Sequence, residues 1–200
     1  MAAEVAIVDS GGANIASLEF ALERLGATSI RTSDATTIRN ASHVILPGVG
    51  AAKNAMARLV SMGIDDVIRQ LSQPVLGICL GMQLLATRSE EDTADCLGIL
   101  EGTSAKFDAS PQAPVPNMGW CALDDVIEHR LLEGISNGDW FYFIHSFALP
   151  PAQYTLATAK HSAPFTAVLA SGNFYATQFH PERSSFAGSR LLGNFLRLAA

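Results

Sequence analysis

Two hydrophobic rhythms take turns along the first half of the chain. Glu4-Val5-Ala6-Ile7-Val8-Asp9 is a continuous apolar run closed by an acid, the pattern of a buried strand. Ser10-Gly11-Gly12 reads as a turn, and Asn14 as the cap of a helix with Ile15, Leu18, Leu22 and Leu25 on one face. Gly26 ends that helix. Ala27 to Thr32 reads as a second strand, and Asp34 as the cap of a short helix. His43 to Leu46 reads as a third strand running into Pro47-Gly48-Val49-Gly50. Helices follow near 51–60 and 62–71, the second with Ile64, Val67, Ile68 and Leu71 on one side. Pro74 to Ile78 is again a short apolar run. Strand alternating with helix predicts an α/β fold with a mostly parallel central sheet and helices on both faces. Ligands of such sheets sit beyond the carboxyl ends of the strands, where Cys79 and the Gly48–Gly50 loop fall.

The second half changes character. Ser89-Glu90-Glu91-Asp92 reads as acidic and exposed, Gly98 to Phe107 as strand and turn, and Asp108 to Pro116 as a proline-rich loop. Short strands are expected near 118–123, 140–144, 154–160, 166–170 and 173–178, as antiparallel or mixed structure added to the parallel sheet. Ser185 to Leu198, with Phe186, Leu191, Leu192, Phe195 and Leu196, reads as a closing amphipathic helix. No repeat, low-complexity tract or linker divides the chain, so residues 1–200 are expected to form one domain.

Composition narrows the function. At 48% hydrophobic residues, 200 residues suffice for a well-packed core. A net charge of −6 without a basic run argues against nucleic-acid and anionic-membrane partners. Neither a signal peptide nor a membrane span is expected. Cys79, Cys96 and Cys121 are odd in number and widely spaced, which fits neither a disulfide framework nor a zinc site and points to a reducing cytoplasm.

The chemistry lies in two stretches. Gly77-Ile78-Cys79-Leu80-Gly81 turns from an apolar run into helix formers, the logic of a nucleophile elbow. The helix start would aim its positive dipole end at the sulfur and favour thiolate. A cysteine at a strand end reads equally as a small buried hydrophobe. Gln178-Phe179-His180-Pro181-Glu182 ends a strand at a histidine, with an acid two residues on across a rigid proline. Glu182 can then fix the imidazole tautomer while the other nitrogen faces the sulfur, giving a Cys–His–Glu triad. His43, His129 and His161 read as surface or packing residues. The backbone N–H of Leu80 and the Pro47–Gly50 loop are candidate oxyanion donors. The glycines flanking Val49 would let that loop flip a peptide plane at low steric cost.

Together these motifs resemble the class I, triad-type glutamine amidotransferases over nearly the whole chain. Leu46–Gly50, Met118-Gly119-Trp120 and Tyr142–Phe147 narrow the resemblance to the glutaminase subunits of imidazole glycerol phosphate synthase. That resemblance implies glutamine hydrolysis by Cys79 as nucleophile, His180 as base and acid, and Glu182 as orienter, with no metal or cofactor. It implies Gly48, Val49, Gly50 and Leu80 as oxyanion elements, and Gln83, Glu91, Ser146 and Phe147 as contacts to L-glutamine. It implies Met118 and Trp120 as residues facing a (β/α)₈ cyclase subunit, which receives the ammonia within a heterodimer in histidine biosynthesis. Ser10, Ala13, Ala52, Asn117 and Cys121 depart from the residues usual there, which are Tyr, Gly, Phe, His and Asn. Three rivals stay open: the glutaminase subunit of another class I amidotransferase, a stand-alone γ-glutamyl Cys hydrolase, and a non-catalytic binding module.

Overall fold

The computed structural model describes residues 4–10, 15–48 and 50–199. The expected turn at Gly11-Gly12, the Asn14 cap and Val49 lie outside them. The first half contains β1 (Glu4–Val8), α1 (Ile15–Arg24), β2 (Thr28–Thr32), α2 (Ala35–Asn40), β3 (His43–Gly48), α3 (Ala52–Ser61), α4 (Ile64–Arg69), β4 (Val75–Cys79) and α5 (Leu80–Leu84). The second contains β5 (Arg88–Ser89), β6 (Ala94–Asp95), β7 (Thr103–Lys106), β8 (Asn117–Ala122), β9 (Trp140–His145), β10 (Phe147–Ala148), β11 (Thr155–Lys160), β12 (Pro164–Ser171), β13 (Phe174–Thr177) and α6 (Ser185–Leu196).

The central sheet has seven strands in the order β11-β12-β13-β4-β3-β1-β2. β2, β1, β3, β4 and β13 run parallel, and β12 and β11 add an antiparallel edge. Side-chain alternation sorts the strand residues to opposite faces. Val5, Ile7, Ile45, Leu76 and Ile78 pack with Leu18 and Leu22 of α1 and with Leu191, Leu192 and Phe195 of α6. Ala6, Val8, Val44, Leu46 and Val75 pack with Ile38 of α2, Leu59 of α3, and Ile64 and Ile68 of α4. Burial on both faces is why these strands read as continuous apolar runs rather than alternating ones. As expected, Asp34 caps α2, accepting from Thr37 N at 2.7 Å.

Several expectations change. Of the late strands, β11, β12 and β13 join the main sheet, whereas β8 and β9 form a separate antiparallel ribbon. A small sheet, β10-β7-β5-β6, was not foreseen in full, because its strands are mostly two residues long and carry no period. Ser89 is buried rather than exposed: its hydroxyl accepts from Ser104 Oγ at 2.8 Å and from Glu91 N at 3.1 Å. α4 is shorter than its periodicity suggested, because Gly63 in the left-handed region separates it from α3. Phe186 is 90% exposed and takes no part in the apolar face of α6.

At the junction of β3, β4 and α5 the backbone itself is packed. A Cβ on Gly81 would run into the carbonyl oxygen of Leu46, and one on Gly77 would lie 2.9 Å from the Gly81 carbonyl. A Cβ on Gly48 would sit 2.8 Å from that of Leu80. Glycine is therefore needed here for close approach, and the contacts are to backbone or to a Cβ fixed on it, which cannot rotate away. Gly81→Ala should lower unfolding free energy by about 3 kcal/mol, the upper range for overpacking. Chemical denaturation measures this, and an unchanged midpoint would show that β3 and α5 can move apart freely.

Candidate active site

Cys79 is the last residue of β4 and adopts φ 55°, ψ −109°. A non-glycine residue held there stores roughly 1–3 kcal/mol of strain, which the packed glycines around it oppose. The turn brings the sulfur 3.7 Å from the Ile144 carbonyl and 3.8 Å from Gln178 Nε2. α5 spans only five residues, so its dipole is smaller than the sequence suggested. The N–H groups of its first turn, beginning with Leu80, lack intrahelical acceptors and remain as candidate donors.

The register of β13 on β4 brings the histidine to this sulfur. Thr177 lies opposite Ile78, so the chain leaving β13 continues beside Cys79. The backbone N–H of His180 donates to the Tyr142 carbonyl at 3.0 Å. Ser184 Oγ donates to the His180 carbonyl at 2.7 Å and accepts from Tyr142 N at 3.0 Å. These bonds lock His180 between the main sheet and the ribbon. Its Nδ1 lies 2.8 Å from Glu182 Oε1, so Nδ1 carries a proton and Nε2 is the atom left for Cys79. The other carboxylate oxygen, Oε2, is buried with no partner among the described residues. Burial disfavours the imidazolium, but the Cys79 sulfur and the Glu182 carboxylate together outweigh it and raise the His180 pKa to about 10. The other thiols sit in different surroundings. Burial and the adjacent Asp95 push Cys96 up to about 11, and burial raises Cys121.

A cavity of about 290 Å³ opens beside the sulfur. It brings together Gly50, Cys79, Leu80, Gln83, Glu91, Ser146, Phe147 and His180 of the sequence-derived set, and adds Pro116, Ile144 and His145. Glu182 stands behind His180, and Gly48 pairs with Cys79 across β3 and β4. Gly50 has φ 89°, a conformation that suits glycine. Glu91 is half-buried and accepts from Ala52 N at 2.8 Å, which satisfies the first N–H of α3 and fixes the carboxylate at the cavity wall. A larger, more open hollow of about 1120 Å³ follows residues 126–137 but contains none of Cys79, His180 and Glu182. Among the described residues no group of three or more His, Cys, Asp or Glu side chains forms a metal site.

Met118 and Trp120 project from the ribbon, 65% and 48% exposed. Cross-strand pairing sets Ile144 opposite Met118 and Tyr142 opposite Trp120, so one face of the ribbon is an apolar, aromatic surface. Arg183 lies over the Tyr142 ring at 4.6 Å. Asn117 and Cys121 are on the inward face, with Asn117 Nδ2 3.1 Å from His145 Nε2 and Cys121 Sγ 3.7 Å from Asn117 Oδ1. The reading from sequence missed Gln178, His145 and Asn117 as parts of the site. Its available signal was a polar residue at an inward position of an otherwise apolar strand.

Residues 6–198 match the family profile described as glutamine amidotransferase class-I. The imidazole glycerol phosphate synthase subunit HisH 2 of Legionella pneumophila (strain Lens) is 49% identical over 194 residues, covering 97% of this chain and 98% of its own. The HisH 1 subunit of Vibrio vulnificus (strain YJ016) is 42% identical over 201 residues, covering 98% of each. Among solved structures, PurLQS from Thermotoga maritima superposes with a TM-score of 0.72 at 18% identity, covering 98% of each chain, which shows the shared fold. The chain belongs to the class I glutamine amidotransferase family and, within it, groups with the HisH subunits of imidazole glycerol phosphate synthase.

Proposed function

We propose that the cavity beside Cys79 takes L-glutamine, and that Cys79, His180 and Glu182 hydrolyse it to glutamate and ammonia. The observation that carries this reading is a strained elbow cysteine facing a histidine whose far nitrogen is held by a buried carboxylate. The Cys79 sulfur attacks the side-chain carboxamide carbon, and the negative charge on oxygen is met by N–H groups at Leu80 and the Gly48–Gly50 loop. His180 delivers the proton that lets ammonia leave, and a γ-glutamyl thioester remains. His180 then accepts a proton from water as it attacks the thioester, glutamate departs and the sulfur is restored. Glu91 and Gln83 line the cavity and would accept from the ammonium and amide N–H groups of the substrate, and Ser146 and Phe147 would offer backbone contacts. The partner is a (β/α)₈ cyclase subunit docked on the Met118–Trp120 face, which receives the ammonia in a heterodimer. Residues 1–200 are read as one glutamine amidotransferase domain, and three free cysteines suit a reducing cytoplasm.

Cys79→Ala should abolish glutamate release while the complex with the cyclase subunit still uses free ammonium. Near-normal glutaminase turnover in that variant would end the proposal, and so would labelling of Cys96 or Cys121 instead of Cys79 by a glutamine-like electrophile.

Glu182→Gln removes one of the two groups that raise the His180 pKa, so that pKa should fall; an NMR titration of the ring reads it directly. The raised value means that the charge contributes stability fully below the ordinary imidazole range and loses it as pH rises through about 10. The same substitution should lower kcat by up to about 10⁴-fold, by analogy with loss of the orienting acid in a Ser-His-Asp triad. An unchanged kcat would remove Glu182 from the mechanism.

Trp120→Ala should weaken cyclase binding by roughly 30-fold, the equivalent of one interface anchor of about 2 kcal/mol. The melting temperature of the isolated chain should change little, because the ring is half exposed. A large melting shift with unaltered affinity would make Trp120 a packing residue.

A further inference from the structure

A buried chain of side-chain amides ends on the nucleophile, and its last member, Gln178, is none of the triad, the oxyanion donors or the substrate contacts. Gln178 is fully buried. Pairing Thr177 with Ile78 sets it level with Cys79, and its Nε2 lies 3.8 Å from the sulfur. Its Oε1 accepts from Gln83 Nε2 at 3.1 Å, and the same Gln83 nitrogen donates to the Phe147 carbonyl at 2.8 Å. His145 Nδ1 reaches that carbonyl at 2.9 Å, and His145 Nε2 meets Asn117 Nδ2 at 3.1 Å.

Each orientation in this chain follows from one backbone group. The Phe147 carbonyl can only accept, so Gln83 must present its amide nitrogen and His145 its protonated Nδ1. Burial drives the His145 pKa down to about 4, so the ring is neutral and Nε2 accepts from the Asn117 amide. The second amide hydrogen of Gln83 can then go only to an acceptor, which turns Gln178 Oε1 toward it. What remains of the Gln178 amide, its N–H, faces the sulfur. The Ile144 carbonyl at 3.7 Å favours a thiol by accepting S–H, whereas the Gln178 donor favours thiolate.

We infer that Gln178 is a positioning residue for the nucleophile: its amide, oriented through Gln83, the Phe147 carbonyl, His145 and Asn117, offers the Cys79 sulfur a donor that competes with the Ile144 carbonyl, which draws the S–H. This deepens the glutaminase reading and rests on it. It assigns Gln178 a role in setting thiolate reactivity rather than in binding glutamine.

The test uses the full chain in complex with the cyclase subunit, with Gln178→Met and Gln178→Glu. Gln178→Met keeps the shape but deletes both the donor to the sulfur and the acceptor for Gln83, and Gln178→Glu separates the two. It should slow alkylation of Cys79 by iodoacetamide at neutral pH by roughly ten-fold or more, as for loss of one hydrogen bond to a charged group. It should lower kcat by a similar factor while KM for glutamine stays within about two-fold, a split that general loosening of the site would not give. Gln178→Glu keeps the acceptor for Gln83, but its second oxygen donates only while protonated. It should behave like the parent enzyme at low pH and lose both rates as pH rises. The titratable groups around the sulfur are His180, Glu182 behind it, His145 beyond the Phe147 carbonyl and Glu91 at the cavity wall, so the parent profile is the reference. Parent-like alkylation in Gln178→Met overturns the inference. Should that variant not fold, a Gln178→Glu profile superimposable on the parent's overturns it instead. If Cys79→Ala is inactive while Gln178→Met is normal, only this inference fails. An active Cys79→Ala removes the glutaminase reading beneath it.

Discussion

The parallel pairing of β13 with β4 is the constraint from which the site follows. It joins residues about a hundred positions apart in sequence, setting Thr177 opposite Ile78 and bringing Gln178 and His180 beside Cys79. A one-residue slip would turn every side chain of β13 to the opposite face. Phe174 and Ala176 would then leave one core cluster, and Phe179 the other. Apolar burial on both faces thus sets the register, and the register in turn sets the chemistry. The strained Cys79 backbone is tolerated for a related reason. Gly48, Gly77 and Gly81 let three backbones meet so closely that the elbow has no room to relax.

Where a period was long enough to read, the sequence predicted the structure well. The parallel strands, the Asp34 cap and the α6 stripe all carry such patterns. The residues of the proposed triad stand out in sequence because they sit in short rigid motifs, Gly-x-Cys-x-Gly and His-Pro-Glu, and the structure brings them together. Other features depend on tertiary structure and leave little trace. The pairing of β8 with β9 apart from the main sheet is decided by which partner edges are free. The burial of Ser89 depends on Ser104, and the exposure of Phe186 on the absence of a neighbour over that turn of α6 among the described residues. The dipole argument for Cys79 assumed a longer helix than α5, since helix formers continue after Leu84 while the chain turns away.

Polar burial in this site is concentrated and directional. His180, Glu182, Gln83, Gln178, His145 and Asn117 are nearly all inside, where an unpaired polar group is expensive. Each amide and ring nitrogen in the chain from Asn117 to Gln178 finds a partner whose donor or acceptor sense is forced. Such networks rigidify when complete. Oε2 of Glu182, without a partner among the described residues, is the exception, and it lies on the carboxylate whose charge supports the His180 imidazolium. A carboxylate with fewer competing hydrogen bonds keeps more of its field for the ring it orients.

The ribbon of β8 and β9 joins these two sides of the molecule. Its strand alternation sends Met118, Trp120, Tyr142 and Ile144 outward, and Asn117, Cys121, Phe143 and His145 inward. The departures at Asn117 and Cys121 therefore fall on the inward face, in the hydrogen-bond chain, and leave the apolar outer surface unchanged. The Ile144 and Tyr142 carbonyls of the same strand reach the Cys79 sulfur and the His180 backbone. A partner pressing on the outer face thus bears on the strand that contacts both the proposed nucleophile and its base. Coupling between docking and catalysis through this face would need no long path, because Tyr142 and Ile144 carry both the outward side chains and the carbonyls that reach His180 and Cys79.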